Sequence, residues 1–293
     1  MNNCPNSLLP GNCFPFSGIR YNTVKMNHKH TPDLDHLSVI AALILLAYST
    51  TSFISFPTKS IELQLPGFLL VVNINFITII ALVVAVLAAA GVDWLISGHP
   101  HRSEKKRWQH WLVPSFTAIA IGIPLGSIEV SPAWWVVFGL GGLLLTGVFI
   151  AEYISFDAED MRYSFAVMAL TVVSYALFLI MVFAITGAGF RLYTLLAALI
   201  PTTFLITART LYLRLGGNWR LAWAAGITLI ITQLGAALFY LPLRPLQYSL
   251  ILLGLLYGLV NLAFAIEDKR PVQTLWIEPA IMSALFISLG FIL

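Results

Sequence analysis

The chain has 293 residues, of which 59% are hydrophobic and only 10% charged, and its mean hydropathy is +0.87. A soluble globular domain carries about a quarter charged residues, so a surface this sparsely charged would leave apolar patches facing water, and a soluble fold is excluded. The net charge of +3 and pI near 8.9 do not point to nucleic acid. No patch interleaves basic and aromatic residues away from a membrane boundary, and basic residues of membrane proteins gather in loops facing the cytoplasm.

Residues 1–36 are rich in Asn, Pro, Gly and Ser and read as a disordered cytoplasmic tail ahead of a single transmembrane domain, 37–293. No basic stretch followed by an apolar one marks a signal peptide. Met26 opens a compact polar lead, Met26-Asn-His-Lys-His-Thr-Pro-Asp, and is the expected translation start. Cys4 and Cys13, the only cysteines, lie in this tail on the reducing side, where no structural disulfide is expected.

Apolar runs follow at 37–56, 68–96, 111–128, 133–154, 163–187, 192–213, 220–241, 247–266 and 273–293. A helix needs about 20 apolar residues to cross a hydrocarbon layer of roughly 30 Å. In lipid every backbone group is paired internally, which leaves helices or closed barrels. Barrel strands alternate apolar and polar, whereas Ile77 to Gly91 is apolar on every side. The expected fold is therefore an all-α polytopic transmembrane bundle of about nine transmembrane helices. The breaks carry turn or charge signals, among them Phe56-Pro57, Gly98-His99-Pro100, Ser131-Pro132, Gly187-Ala188-Gly189 and Gly216-Gly217-Asn218.

Counting Lys and Arg on alternate sides gives thirteen on the side of the N-terminal tail and three (Lys59, Arg191, Arg244) on the other. This places the N-terminus in the cytoplasm and the C-terminus outside a plasma membrane. Trp94, Trp108, Trp111, Trp219, Trp223 and Trp276 lie near the inner boundary and Trp134 and Trp135 near the outer one, the depths where amphipathic rings collect. Pro132, Trp135 and Gly141 share their spacing with Pro245, Tyr248 and Gly254, and each preceding run carries a Gly (Gly122, Gly235) followed by Pro-Leu. These echoes suggest a parallel 1+4+4 repeat, with runs two to five duplicated as runs six to nine, as in some transporters.

Ionisable groups inside a membrane cost about 2.5–3.5 kcal/mol each and are the default functional candidates. Here they gather at the cytoplasmic side: Asp93, Glu152, Asp157, Asp160, Arg162, Arg209, Arg214 and Glu278. Arg209 is placed to pair with Glu278 or Glu152, as a helix-pairing bridge or as a site. None sits at the midplane, which weighs against a proton-coupled carrier. The run Asp157, Glu159, Asp160 invites comparison with enzymes that bind Mg²⁺ and a diphosphate, but its spacing lacks their repeated aspartate motifs. All six histidines fall on the inner side, and no Cys or carboxylate completes a ligand set around His28, His30, His99 or His101. No metal or cofactor is expected.

The partners expected are membrane lipids, with anionic headgroups at the basic 97–110 loop, where each basic residue contributes about 1 kcal/mol. A protein partner is left open and nucleic acid is not expected. Asn73, Asn75, Thr78, Thr171, Ser174, Thr202, Thr203, Gln233 and Asn261 read as glue between helices. Pro201 kinks its helix beside Thr202 and Thr203 and seeds a polar cavity there.

Glu62-Leu-Gln-Leu-Pro-Gly67, Asp93-Trp-Leu, His110-Trp-Leu-Val-Pro114, Ala151-Glu-Tyr, Glu159-Asp-Met-Arg-Tyr163, Arg209-Thr-Leu-Tyr-Leu-Arg214 and Pro245-Leu-Gln-Tyr248 together resemble a family of bacterial multi-pass membrane proteins classed only as a domain of unknown function. The resemblance covers residues 36–293 and implies no activity. Three readings follow: a non-catalytic membrane component or assembly partner, a transporter of a lipid or small apolar solute, and a lipid-modifying enzyme at the cytoplasmic interface. The first ranks ahead, because the chain has short loops and little polar machinery. Intact mass of the native protein tests the start at Met26; a species beginning at Met1 ends that expectation.

Overall fold

A computed structural model describes residues 34–53, 59–65, 68–74, 76–97, 107–156, 161–268 and 276–292. Among them are nine α-helices: α1 (Leu34–Phe53), α2 (Phe76–Ser97), α3 (Leu112–Ser127), α4 (Pro132–Ser155), α5 (Tyr163–Gly187), α6 (Leu192–Arg214), α7 (Leu221–Phe239), α8 (Pro245–Glu267) and α9 (Ile277–Ile292). A short 3-10 turn, Arg107–Trp111, leads into α3. Six helices, α2 and α4 to α8, are long and apolar enough to cross a membrane; α3 and α9 are shorter, at 16 residues each, and α1 contributes the shorter apolar stretch Asp35–Thr50. Large apolar side chains face outward, Leu143 at 73% and Phe165 at 76% exposure, a surface compatible with a membrane location.

Local chemistry sets the helix ends. Ser131 caps α4 by accepting from the Trp134 N–H, and Pro132 occupies the first helical position, where a missing donor is harmless. Pro245 opens α8 in the same way, with the Gln247 side chain accepting from the Arg244 N–H. Behind α6, Gly216 and Gly217 adopt positive φ of 64° and 90°, a conformation glycine reaches without steric cost, and the Gly217 N–H returns to the Tyr212 carbonyl.

The run 68–96 is not one helix. Lys59–Leu65 (β1) and Phe68–Ile74 (β2) pair antiparallel, Leu65 opposite Phe68 and Lys59 opposite Ile74, and α2 begins only at Phe76. Ile61, Val71, Val72 and Ile74 are β-branched and favour the pleated conformation, and Pro66-Gly67 is a turn dipeptide. Hydropathy alone cannot separate such a strand from the start of a helix.

Two apolar cores organise the bundle. The first joins α1 to α4 through Leu37, Ile44, Tyr48, Val84, Ala88, Ile121, Trp134 and Phe149. The second joins α5 to α8 through Phe178, Val182, Leu199, Leu211, Ile231, Leu252 and Val260. In each, consecutive helices pack on one another and the fourth closes back on the first, α4 on α1 and α8 on α5. A third layer, of Val113, Val148, Ala151, Ala166, Leu170, Leu177 and Leu213, fills the space between these halves. Helix α9 packs on α8.

The cores therefore group the helices as four, four and one, with the odd helix at the end of the chain rather than at the front. The same device recurs in both halves: the Trp134 indole donates to the Leu125 carbonyl (3.2 Å) and the Tyr248 hydroxyl to the Gly235 carbonyl (2.8 Å). The residue in register with Tyr248 by spacing, Trp135, is 54% exposed, so the correspondence slips by one position to Trp134. Trp134 is a buried core residue.

Gly254 and Gly258 let α9 approach α8. A Cβ on Gly254 would lie 2.8 Å from the Phe286 Cβ and 3.1 Å from the Ser283 carbonyl, and backbone cannot move aside. Gly254→Val should lower stability by about 1–3 kcal/mol, read as an earlier thermal transition in detergent. Gly139→Val, where nothing lies within 4 Å, should leave the transition in place.

Candidate functional site

The buried charges meet where the two halves join. Glu152 stands one turn from the C-terminal end of α4 and Arg209 five residues from the end of α6; both are almost fully excluded from solvent, at 0% and 1% exposure. Arg209 Nη2 donates to Glu152 Oε2 at 2.6 Å, and His110 Nδ1, from the turn before α3, approaches the same oxygen at 2.7 Å. The carboxylate only accepts, so the imidazole carries its proton on Nδ1 and donates. Its 3.4 Å contact with Arg209 Nη2 is then proximity between donors that share one acceptor. Ser155 closes the set, its hydroxyl donating to the Glu152 carbonyl at 3.0 Å and lying 3.4 Å from Oε2. The Arg209 guanidinium also lies over the Tyr212 ring, 5.5 Å from its centroid.

This arrangement couples elements distant in sequence. His110 and Glu152 belong to the first half and Arg209 to the second. Beside them a crevice of about 10 Å³, lined by Val113, Phe116, Ser174, Leu177, Ile206 and Arg209, has room for one water. Glu152 Oε1 and Arg209 Nε and Nη1 make no hydrogen bond within the protein. A single water there can serve the guanidinium, but the crevice is too small for an organic substrate.

The other candidates go elsewhere. Arg214, half-buried at the end of α6, donates to Asn261 Oδ1 at 2.6 Å and sits 4.2 Å over the Phe264 ring, inside the second half. Asp93 lines a groove of about 500 Å³ between α2 and the turn before α3, with Ala89, Ala90, Trp94, Ser97 and Trp111. Arg162 is exposed where α5 begins, and Glu278 is exposed in the first turn of α9. Of the two partners open to Arg209, the structure selects Glu152. Asp157 and Asp160 lie outside the described residues, as do His28, His30, His99, His101 and most of the 97–110 loop. Among the described residues no cluster of three or more His, Cys, Asp or Glu is arranged to hold a metal.

Sequence reasoning missed two contacts. It grouped His110 with the inner-side histidines and not with Glu152; the signal available was its place at the head of His110-Trp-Leu-Val-Pro114, where a span begins. It also missed the link between the start of α7 and the end of α8, in which Glu267 receives Arg220 at 3.0 Å and the Trp223 indole N–H at 2.8 Å.

The cluster predicts a non-additive mutant series. Glu152→Leu leaves a buried guanidinium without its counter-charge and should cost about 3–5 kcal/mol, whereas Glu152→Leu combined with Arg209→Leu should recover most of it. Thermal unfolding of the purified variants in detergent measures both; equal losses in the single and double variants would contradict the pairing.

No curated protein and no solved structure matches this chain. Residues 56–293 match the family model described as Protein of unknown function (DUF5656), and the chain belongs to that family.

Proposed function

We propose that this protein is a non-catalytic component of the plasma membrane, N-terminus in the cytoplasm and C-terminus outside, that works by holding a partner protein. The observation that carries this reading is the join between the halves. It is a packed apolar layer from Val113 to Leu213, closed at its inner end by His110, Glu152 and Arg209. A carrier that rocks one half against the other uses that surface as its substrate path, and here side chains fill it. An enzyme at the inner interface needs carboxylates and cations converging on one pocket. Among the described residues Asp93, Glu152 and Arg214 instead face three different surroundings.

In this reading all nine helices cross the membrane, and the basic 97–110 loop rests on anionic headgroups. Native mass spectrometry of the protein extracted in mild detergent tests it. A second polypeptide should be retained at fixed stoichiometry. A monomer carrying one enriched lipid or isoprenoid would overturn the proposal in favour of transport or lipid modification, and a bare monomer would remove the assembly role.

A further inference from the structure

One face of α6 is polar in a way that packing does not explain. Thr203, Thr207, Thr210 and Arg214 recur at helical spacing and so share a face running from the middle of α6 to its inner end. The three threonines are 0% exposed, and none of their hydroxyls has a hydrogen-bond partner. A helical threonine has a partner at hand in the carbonyl one turn back. Thr117, Thr146, Thr171, Thr186, Thr228 and Thr232 all use it, at 2.7–2.8 Å. The three on α6 make no such bond. On α5, which packs on α6, the Tyr175 hydroxyl is also buried and without a partner.

The elements around this face belong to one interior. The Tyr175 ring contacts the Tyr257 ring of α8, 5.4 Å between centroids. Asn261, one turn further along α8, donates to the Tyr257 carbonyl and accepts from Arg214. Arg214 cannot lose its charge, yet its polar partner is a neutral amide, and only one of its five donors is used there. Four buried hydroxyls without partners, beside a half-buried cation that meets only the Asn261 amide and the Phe264 ring among the described residues, leave donors for an acceptor-bearing ligand.

We infer that the second half contains a hydrated seam, walled by Thr203, Thr207, Thr210 and Tyr175, that binds a small anionic group of the phosphate or carboxylate type at its Arg214 mouth. Water in the seam serves the hydroxyls, and the anion engages the free donors of Arg214 beside Asn261. The seam lies inside one half and not between the two, so it needs no movement at the join. It also extends the polar spot that Pro201, Thr202 and Thr203 mark in the sequence.

Cysteine labelling of purified protein in detergent tests this, in a background carrying Cys4→Ser and Cys13→Ser. Thr207→Cys and Thr210→Cys should react with small charged methanethiosulfonates, the anionic reagent several-fold faster than the cationic one, and Arg214→Gln should erase that preference. Leu252→Cys, in the apolar core of the same half, is the silent control. Inorganic phosphate should slow labelling of Thr210→Cys if the anion is a free solute, and anionic phospholipid added to the micelle should slow it if the anion is a headgroup. Labelling no faster than at Leu252→Cys overturns the seam; equal rates for both reagents, or protection by neither anion, overturns the anion assignment. Should a cysteine variant fail to fold, Thr207→Val gives an independent reading. A hydrated hydroxyl predicts a lower melting temperature on its loss, and an unchanged or raised one counts against the seam.

Discussion

Three groups that an apolar interior would otherwise reject depend on one another: the Glu152 carboxylate, the Arg209 guanidinium and the His110 imidazole, all meeting at a single carboxylate oxygen. Burying any of them alone is costly, and burying them together is tolerable only in good geometry. That requirement fixes how the halves meet. Glu152 on α4, His110 ahead of α3 and Arg209 on α6 come within hydrogen-bond reach only if the α3–α4 side of one half faces the α5–α6 side of the other. The apolar layer from Val113 to Leu213 then fills the remaining space. The ion cluster supplies register where apolar side chains, equally content against lipid, supply little.

The bundle shows two uses of polar groups in lipid. In the first half and at the join they are consumed by close partners: Trp134 on Leu125, Tyr48 on Ala118, Glu152 on Arg209. These fix helices to one another at modest gain per bond. Along α6 within the second half they are left facing one another's space, with Arg214 at the end. Neighbouring turns of a single helix thus serve a locking role, at Arg209, and an open polar face, at Thr207 and Thr210. Their separation around the helix, more than a quarter turn, keeps the two apart.

Much of this was legible before the structure. Among the described residues each of the nine apolar runs contains one helix, six of them long and apolar enough to cross a membrane, and the second begins only at Phe76. The hairpin at 59–74 was not legible. Phe68-Leu-Leu-Val-Val is as apolar as the helix it precedes, and a hydropathy window records burial rather than backbone conformation. The pairing of Arg209 with Glu152 was visible as one of two options, since both lie within a few residues of an inner helix end. His110 was hidden because it sits in a basic, tryptophan-rich stretch where an exposed headgroup role is equally natural. The grouping of helices was hidden too: matched Pro, aromatic and Gly positions align α3 with α7 and α4 with α8, whichever end of the chain the odd helix occupies. Only the cores decide between α1 and α9.

The central claim, two four-helix halves each with its own core and held in register by one ion cluster, is tested most directly by dividing the chain. Co-expression of two pieces separated between Phe156 and Tyr163 places α1 to α4 on one polypeptide and α5 to α9 on the other. The two pieces should co-purify as a one-to-one complex, and Glu152→Leu in the first should release the second. Pieces that fail to associate, or that associate equally well without the Glu152 carboxylate, would contradict it.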